Sequence, residues 1–169
     1  RIPHQGRMAL LDALCDWSLE HVHCTATGHA DANHPLRTPG GLLAPAAIEY
    51  AAQAMALHGA LVAPPQGTPT PGYLASVRQV RLSVATLHDR PGPLHVRAQR
   101  LAGDERQILY TFEVSDSGGI HLADGRAIAV EMDSATPDGA PREHWFNAKF
   151  ACPVCNHSIS ELEPRLFSF

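Results

Sequence analysis

One segment constrains the fold more than any other. Residues 46–62, AAIEYAAQAMALHGALV, hold seven alanines and no proline, so the backbone is helical by propensity. Pro45 fits the first turn, where its missing N–H costs nothing, and Pro64-Pro65 stops the helix. Ile48, Met55 and Leu61 lie on several sides among small residues. A helix that is apolar nearly all round is predicted to be buried. The rest of the chain must then supply the wall around it.

That wall reads as strands. After Gly72 the hydrophobic period changes, and 73–81, 94–101, 108–115 and 120–132 are predicted to be strands. Pro91-Gly92-Pro93, Gly103-Asp104 and Ser117-Gly118-Gly119 supply close turns, which predicts an antiparallel meander. Upstream, a helical turn is expected over 8–14 and a hairpin over 15–19 and 22–27, with loops at 28–44 and 63–72. The expected class is α+β, a strongly curved antiparallel sheet against one long buried helix. Composition shifts at Ser134: a first domain over 1–133 gives way to a Pro/Gly/Ala/Asp linker over 134–143 and an aromatic-rich tail over 144–169.

Composition narrows the functional classes. With 44% hydrophobic residues in 169, the chain can bury a core, and a net charge of -4 disfavours a general nucleic-acid or anionic-membrane surface. No apolar run approaches the ~20 residues that cross a bilayer, and no signal segment is read. Cys15, Cys24 and the pair Cys152/Cys155 do not make a disulfide framework, which points to a reducing cytoplasm.

The chemistry is expected at 34–56, HPLRTPGGLLAPAAIEYAAQAMA. Glu49 and Gln53 are four apart and share one helix face. An apolar pocket favours the neutral, proton-donating form of a carboxyl group, and Gln53 is suited to orient it. His34, from the preceding loop, is the natural base near neutral pH. The helix start around Leu43 and Ala44 offers N–H groups to a developing oxyanion. This set suits removal of a proton beside a carbonyl with loss of a β-hydroxyl. Two bland readings stand beside it: Glu49 as an interfacial residue pairing with Arg78 or Arg81, and His34 as an ordinary loop histidine.

These residues carry a resemblance. His34-Pro35-Leu36, a Pro/Gly turn and Ala47-Ile48-Glu49-Tyr50-Ala51-Ala52-Gln53-Ala54 resemble the active-site segment of bacterial 3-hydroxyacyl carrier-protein dehydratases, and Ile2-Pro3-His4 to Asp12 resembles the family's opening. The likeness is greatest to the aryl-polyene branch and covers roughly residues 1–133. It implies the hotdog fold, a homodimer or larger assembly of dimers, and His34 and Glu49 as the acid/base pair, with Leu43, Ala44 and Gln53 lining the substrate. It implies dehydration of 3-hydroxyacyl thioesters in fatty-acid or polyene-type lipid biosynthesis, with acyl carrier protein as partner. No cofactor is implied, because phosphopantetheine arrives with the substrate. Three departures are visible: one extra residue between the histidine and the acid, Ala44 where the family has glycine, and Pro35 where it has an aromatic. The alternatives are a thioesterase and a non-catalytic partner of an active dehydratase.

The tail is different. FACPVCNHSISELEPRLFSF, with Cys152 and Cys155 at knuckle spacing and His157 nearby, resembles a zinc-module fragment of the excinuclease ATPase of bacterial excision repair. Half a ligand set makes zinc an unfavoured expectation, and the segment reads as a passenger.

Overall fold

A computed structural model describes residues 8–63, 72–104 and 107–131, all within Arg1–Asp133, the first of two units into which the chain divides. The helical segment forms as expected. A 3-10 turn at Ala44–Ala46, with Pro45 in it, leads into α1, Ala47–Val62. The strands are β1 (Ala13–Trp17), β2 (His21–Ala26), β3 (Gly72–Leu82), β4 (Leu94–Gly103), β5 (Gln107–Ser115) and β6 (His121–Glu131). Of the helical turn expected over 8–14 only Met8 is in a 3-10 turn; residues 9–12 are irregular and β1 starts at Ala13.

The strands make one antiparallel sheet in the order β1-β2-β4-β5-β6-β3. The meander holds for β4, β5 and β6. β3 departs from it: the strand after the helix crosses to pair with β6 and stands at an edge. Alternation sets the two faces of the sheet. Along β2, Val22, Cys24 and Ala26 are buried while His21, His23 and Thr25 are half-buried. Val96, Val114 and Ala123 form one inward row across β4, β5 and β6, and Ala98, Phe112 and Gly125 form the next. Gly125 is needed in that row: a Cβ there would lie 2.9 Å from the Phe112 ring.

α1 packs on this inner face through Ala47, Tyr50, Ala51, Ala54, Met55 and His58. The opposite side is not enclosed. Ile48, Glu49, Ala52, Leu57 and Ala60 are half-buried and Ala56 is exposed. A single curved sheet covers one side of a helix, so burial on all sides is not reached by one chain. His58 pins the helix at its far end. Its Nε2–H donates to the Ser18 carbonyl at 2.9 Å, which leaves Nδ1 to accept from the Tyr110 hydroxyl, also at 2.9 Å. Burial pushes the His58 imidazole below its ordinary value and the Tyr110 phenol up to about 12, so the pair is neutral. Among the described residues no helix is long and apolar enough to cross a membrane.

Candidate functional site

Glu49 lies in the first turn of α1, at the positive end of the helix dipole. It is half-buried, so the expected apolar enclosure is only partial. Its orientation is set by Gln53, one turn on. The Gln53 amide donates to Glu49 Oε1 at 3.0 Å and to the Met8 carbonyl at 2.8 Å, while its own oxygen accepts the Leu10 N–H at 2.9 Å. Both amide protons and the carbonyl are thus used inside the chain, and Gln53 is 1% exposed. Gln53 thus orients the Glu49 carboxyl group, as the spacing of four predicts. It binds the entry segment to the helix and holds the carboxylate. Arg81, a candidate ion-pair partner of Glu49, is taken by Asp124 at 2.9 Å.

His34 is brought to the same end of the helix. It lies in a chain of turns, with His34 N–H donating to Asp31 O and Arg37 N–H to His34 O. It is buried, and its Nε2 meets the Tyr50 hydroxyl at 2.9 Å. Nδ1 accepts the Leu36 N–H at 3.1 Å. A neutral imidazole has one proton, so it sits on Nε2 and is donated to Tyr50. Burial holds the His34 pKa below its ordinary value; Asp31 opposes this, and His29 and Arg37 reinforce it. The ring is therefore unprotonated beyond its single N–H at neutral pH. Tyr50 was not singled out by the sequence. Its signal was present: a phenol on the core side of an alanine helix needs a polar partner.

The oxyanion candidates separate. The Ala44 N–H donates to the Ala85 carbonyl at 2.9 Å, and Ala46 and Ala47 N–H groups close the 3-10 turn onto Leu43, Ala44 and Pro45 carbonyls. The Ala44 amide is thus spent within the chain. The Leu43 N–H has no partner among the described residues, and Leu43 is exposed.

An open cleft of about 1040 Å³ lies elsewhere, lined by His21, His23, Arg97, Glu113, Asp124 and Arg126 among others, and by neither His34 nor Glu49. Those side chains belong to the outer face of the sheet, so the cleft is not the expected site. Among the described residues no cluster of three or more His, Cys, Asp or Glu side chains is placed to hold a metal ion. Cys152, Cys155 and His157 lie outside the described residues.

A helix cupped in a six-stranded antiparallel sheet defines the hotdog fold. The ApeP dehydratase model of the ApeP-like family matches residues 1–136, and the chain belongs to that family. It is similar to the solved dehydratase heterocomplex ApeI:P of Xenorhabdus doucetiae, with 27% identity and a TM-score of 0.67 over 79% of this chain and 89% of that one. A thioesterase of Streptococcus pneumoniae, solved with coenzyme A, shares the fold at 8% identity and a TM-score of 0.51, over 73% of this chain and 88% of that one. The resemblance in the tail is also found. UvrABC system protein A of Neisseria meningitidis is 64% identical over 73 residues, which is 43% of this chain but 7% of that protein. The chain thus spans a small fraction of the curated relatives it matches.

Proposed function

We propose that residues 1–133 dehydrate a 3-hydroxyacyl thioester on acyl carrier protein to the trans-2-enoyl thioester, in fatty-acid or polyene-type lipid synthesis. Glu49 gives its proton to the departing β-hydroxyl, and His34 takes the α-proton. The Leu43 N–H meets the thioester oxygen as charge develops there. The acyl chain runs along the half-open side of α1, where Ala52 and Ala56 leave room. Phosphopantetheine comes with the substrate and no further cofactor is called for. The observation that carries the reading is the carboxylate at the helix start, oriented by an amide whose two protons are both engaged, in a chain of a dehydratase family. Glu49→Gln is expected to abolish turnover while the circular-dichroism spectrum stays unchanged; full activity in that variant would remove Glu49 from the chemistry.

A second reading, a protomer that works only with a different partner chain, is favoured by one feature. Both His34 nitrogens are engaged within the chain, so its base role requires the Leu36 contact on Nδ1 to be exchanged when substrate or a second chain docks. The edge strand β3 and the open helix side suit pairing with another hotdog chain. Water loss seen only after a second hotdog protein is supplied would select this reading. Release of free thiol without an enoyl product would select a thioesterase instead. The tail over 144–169 takes no part in either scheme.

A further inference from the structure

The proposed reaction, on which this inference rests, needs the Leu43 amide held still where the oxyanion forms. What holds it comes from far along the chain. Leu42–Ala44 runs antiparallel to Ala85–Leu87 in the β3–β4 connection: Ala44 N–H donates to Ala85 O at 2.9 Å, Leu87 N–H to Leu42 O at 2.8 Å, and Leu43 pairs with Thr86 between them. Leu42 and Leu87 are fully buried. Just before this ladder Gly41 sits at φ +95, and the His88 ring fills the space beside it. A Cβ on residue 41 would lie 2.2 Å from His88 Cε1 and 2.5 Å from its Nδ1. A third tie lies at the far side of the loop, where His29 Nε2–H donates to the Arg90 carbonyl at 3.1 Å.

His88 is the middle of these three ties, and its Nδ1 is buried with no hydrogen-bond partner among the described residues. We propose that His88 is a positioning residue: by wedging against Gly41 it fixes the turn at 38–41 and, through it, the direction of the Leu43 N–H. The turn itself is closed by reciprocal bonds between Thr38 and Gly41, so it moves as a unit. A small displacement of the wedge is passed directly to the amide two residues on.

The test is a double-mutant cycle in the full chain, with the second hotdog protein supplied if activity needs it. His88→Ala is expected to lower kcat roughly ten- to hundredfold with KM within about twofold, since misplacement of about 1 Å is costly in the transition state. Gly41→Ala is expected to lose as much or more. The double variant is expected to recover only part of the Gly41→Ala loss, because the new Cβ enters the vacated space while the strain of a side chain at φ +95 remains. Losses that simply multiply, or a rise in KM at constant kcat, would overturn the positioning role. A readout independent of turnover is amide hydrogen exchange in the Glu49→Gln background. His88→Ala is expected to speed exchange at Ala44 and Leu87 by about tenfold or more, and unchanged exchange there would equally overturn the role. If the wild type does not dehydrate but exchange responds, the clamp stands and the dehydratase reading falls.

Discussion

At the residue scale the site rests on a few side chains whose hydrogen-bonding capacity is used up. Gln53 is the clearest. Replacing it with Leu leaves the Leu10 N–H and the Met8 carbonyl without their partner and frees the carboxylate of Glu49 from this amide. Stranded buried groups cost ~1–3 kcal/mol each, so Gln53→Leu is expected to lose ~2–4 kcal/mol of stability in urea unfolding. A loss below about 0.5 kcal/mol would contradict the accounting. Tyr50→Phe tests a different bond. It removes the acceptor for the His34 Nε2–H, and the ¹⁵N signals of that ring are expected to shift while those of His58 stay put. Signals of His34 that match the wild type would show that the Tyr50 contact is not made in solution. The Glu49–Gln53 bond was legible because a spacing of four on a helix is itself the signal. The Tyr50–His34 bond was not, because it joins a helix position to a loop position whose approach only the tertiary fold determines. Which amide at the helix start is free was not legible either, because it depends on a segment at 85–87 that local sequence does not reveal.

At the scale of elements, the period of the apolar residues carried most of the information. The expected strands at 73–81, 94–101, 108–115 and 120–132 match β3 to β6 to within two residues at each end. What the period does not encode is who pairs with whom. β3 pairs with β6 across the sheet, and no turn joins those two strands to announce it. Helix burial was overestimated for a related reason: α1 is apolar nearly all round, but composition does not say whether a second chain supplies the other wall. The packed row across β4, β5 and β6 gives an element-level test. Gly125→Ala drives a methyl into the Phe112 ring and brings it 3.2 Å from Val80. Overpacking of this sort typically costs ~1–3 kcal/mol, and thermal melting is expected to fall accordingly. An unchanged melting temperature would mean that Phe112 does not occupy that position.

At the scale of the molecule, neutral histidines at buried and half-buried positions make the fold sensitive to acid. Burial lowers the pKa of His23, His34 and His58 in the folded chain below the ordinary 6.5. In the unfolded chain these groups bind protons first as pH falls, so protonation favours unfolding. Their contribution to stability is complete above about pH 6.5 and is lost as pH drops through the folded-state values. The urea midpoint is therefore expected to be lower at pH 5.5 than at pH 7.5, and a flat or inverted profile would contradict the buried placement of these rings. The helix side that carries Glu49 is the side one sheet leaves open.

The central claim is that Glu49, oriented by Gln53 at the start of α1, carries out a dehydration. It is tested most directly by loading a carrier protein with a 3-hydroxyacyl group and following the intact mass, first with this chain alone and then with a second hotdog protein present. The expected result is loss of one water from the acyl-carrier species with the wild type and no change with Glu49→Gln. An unchanged mass with the wild type under both conditions, or the same loss with Glu49→Gln, would contradict it.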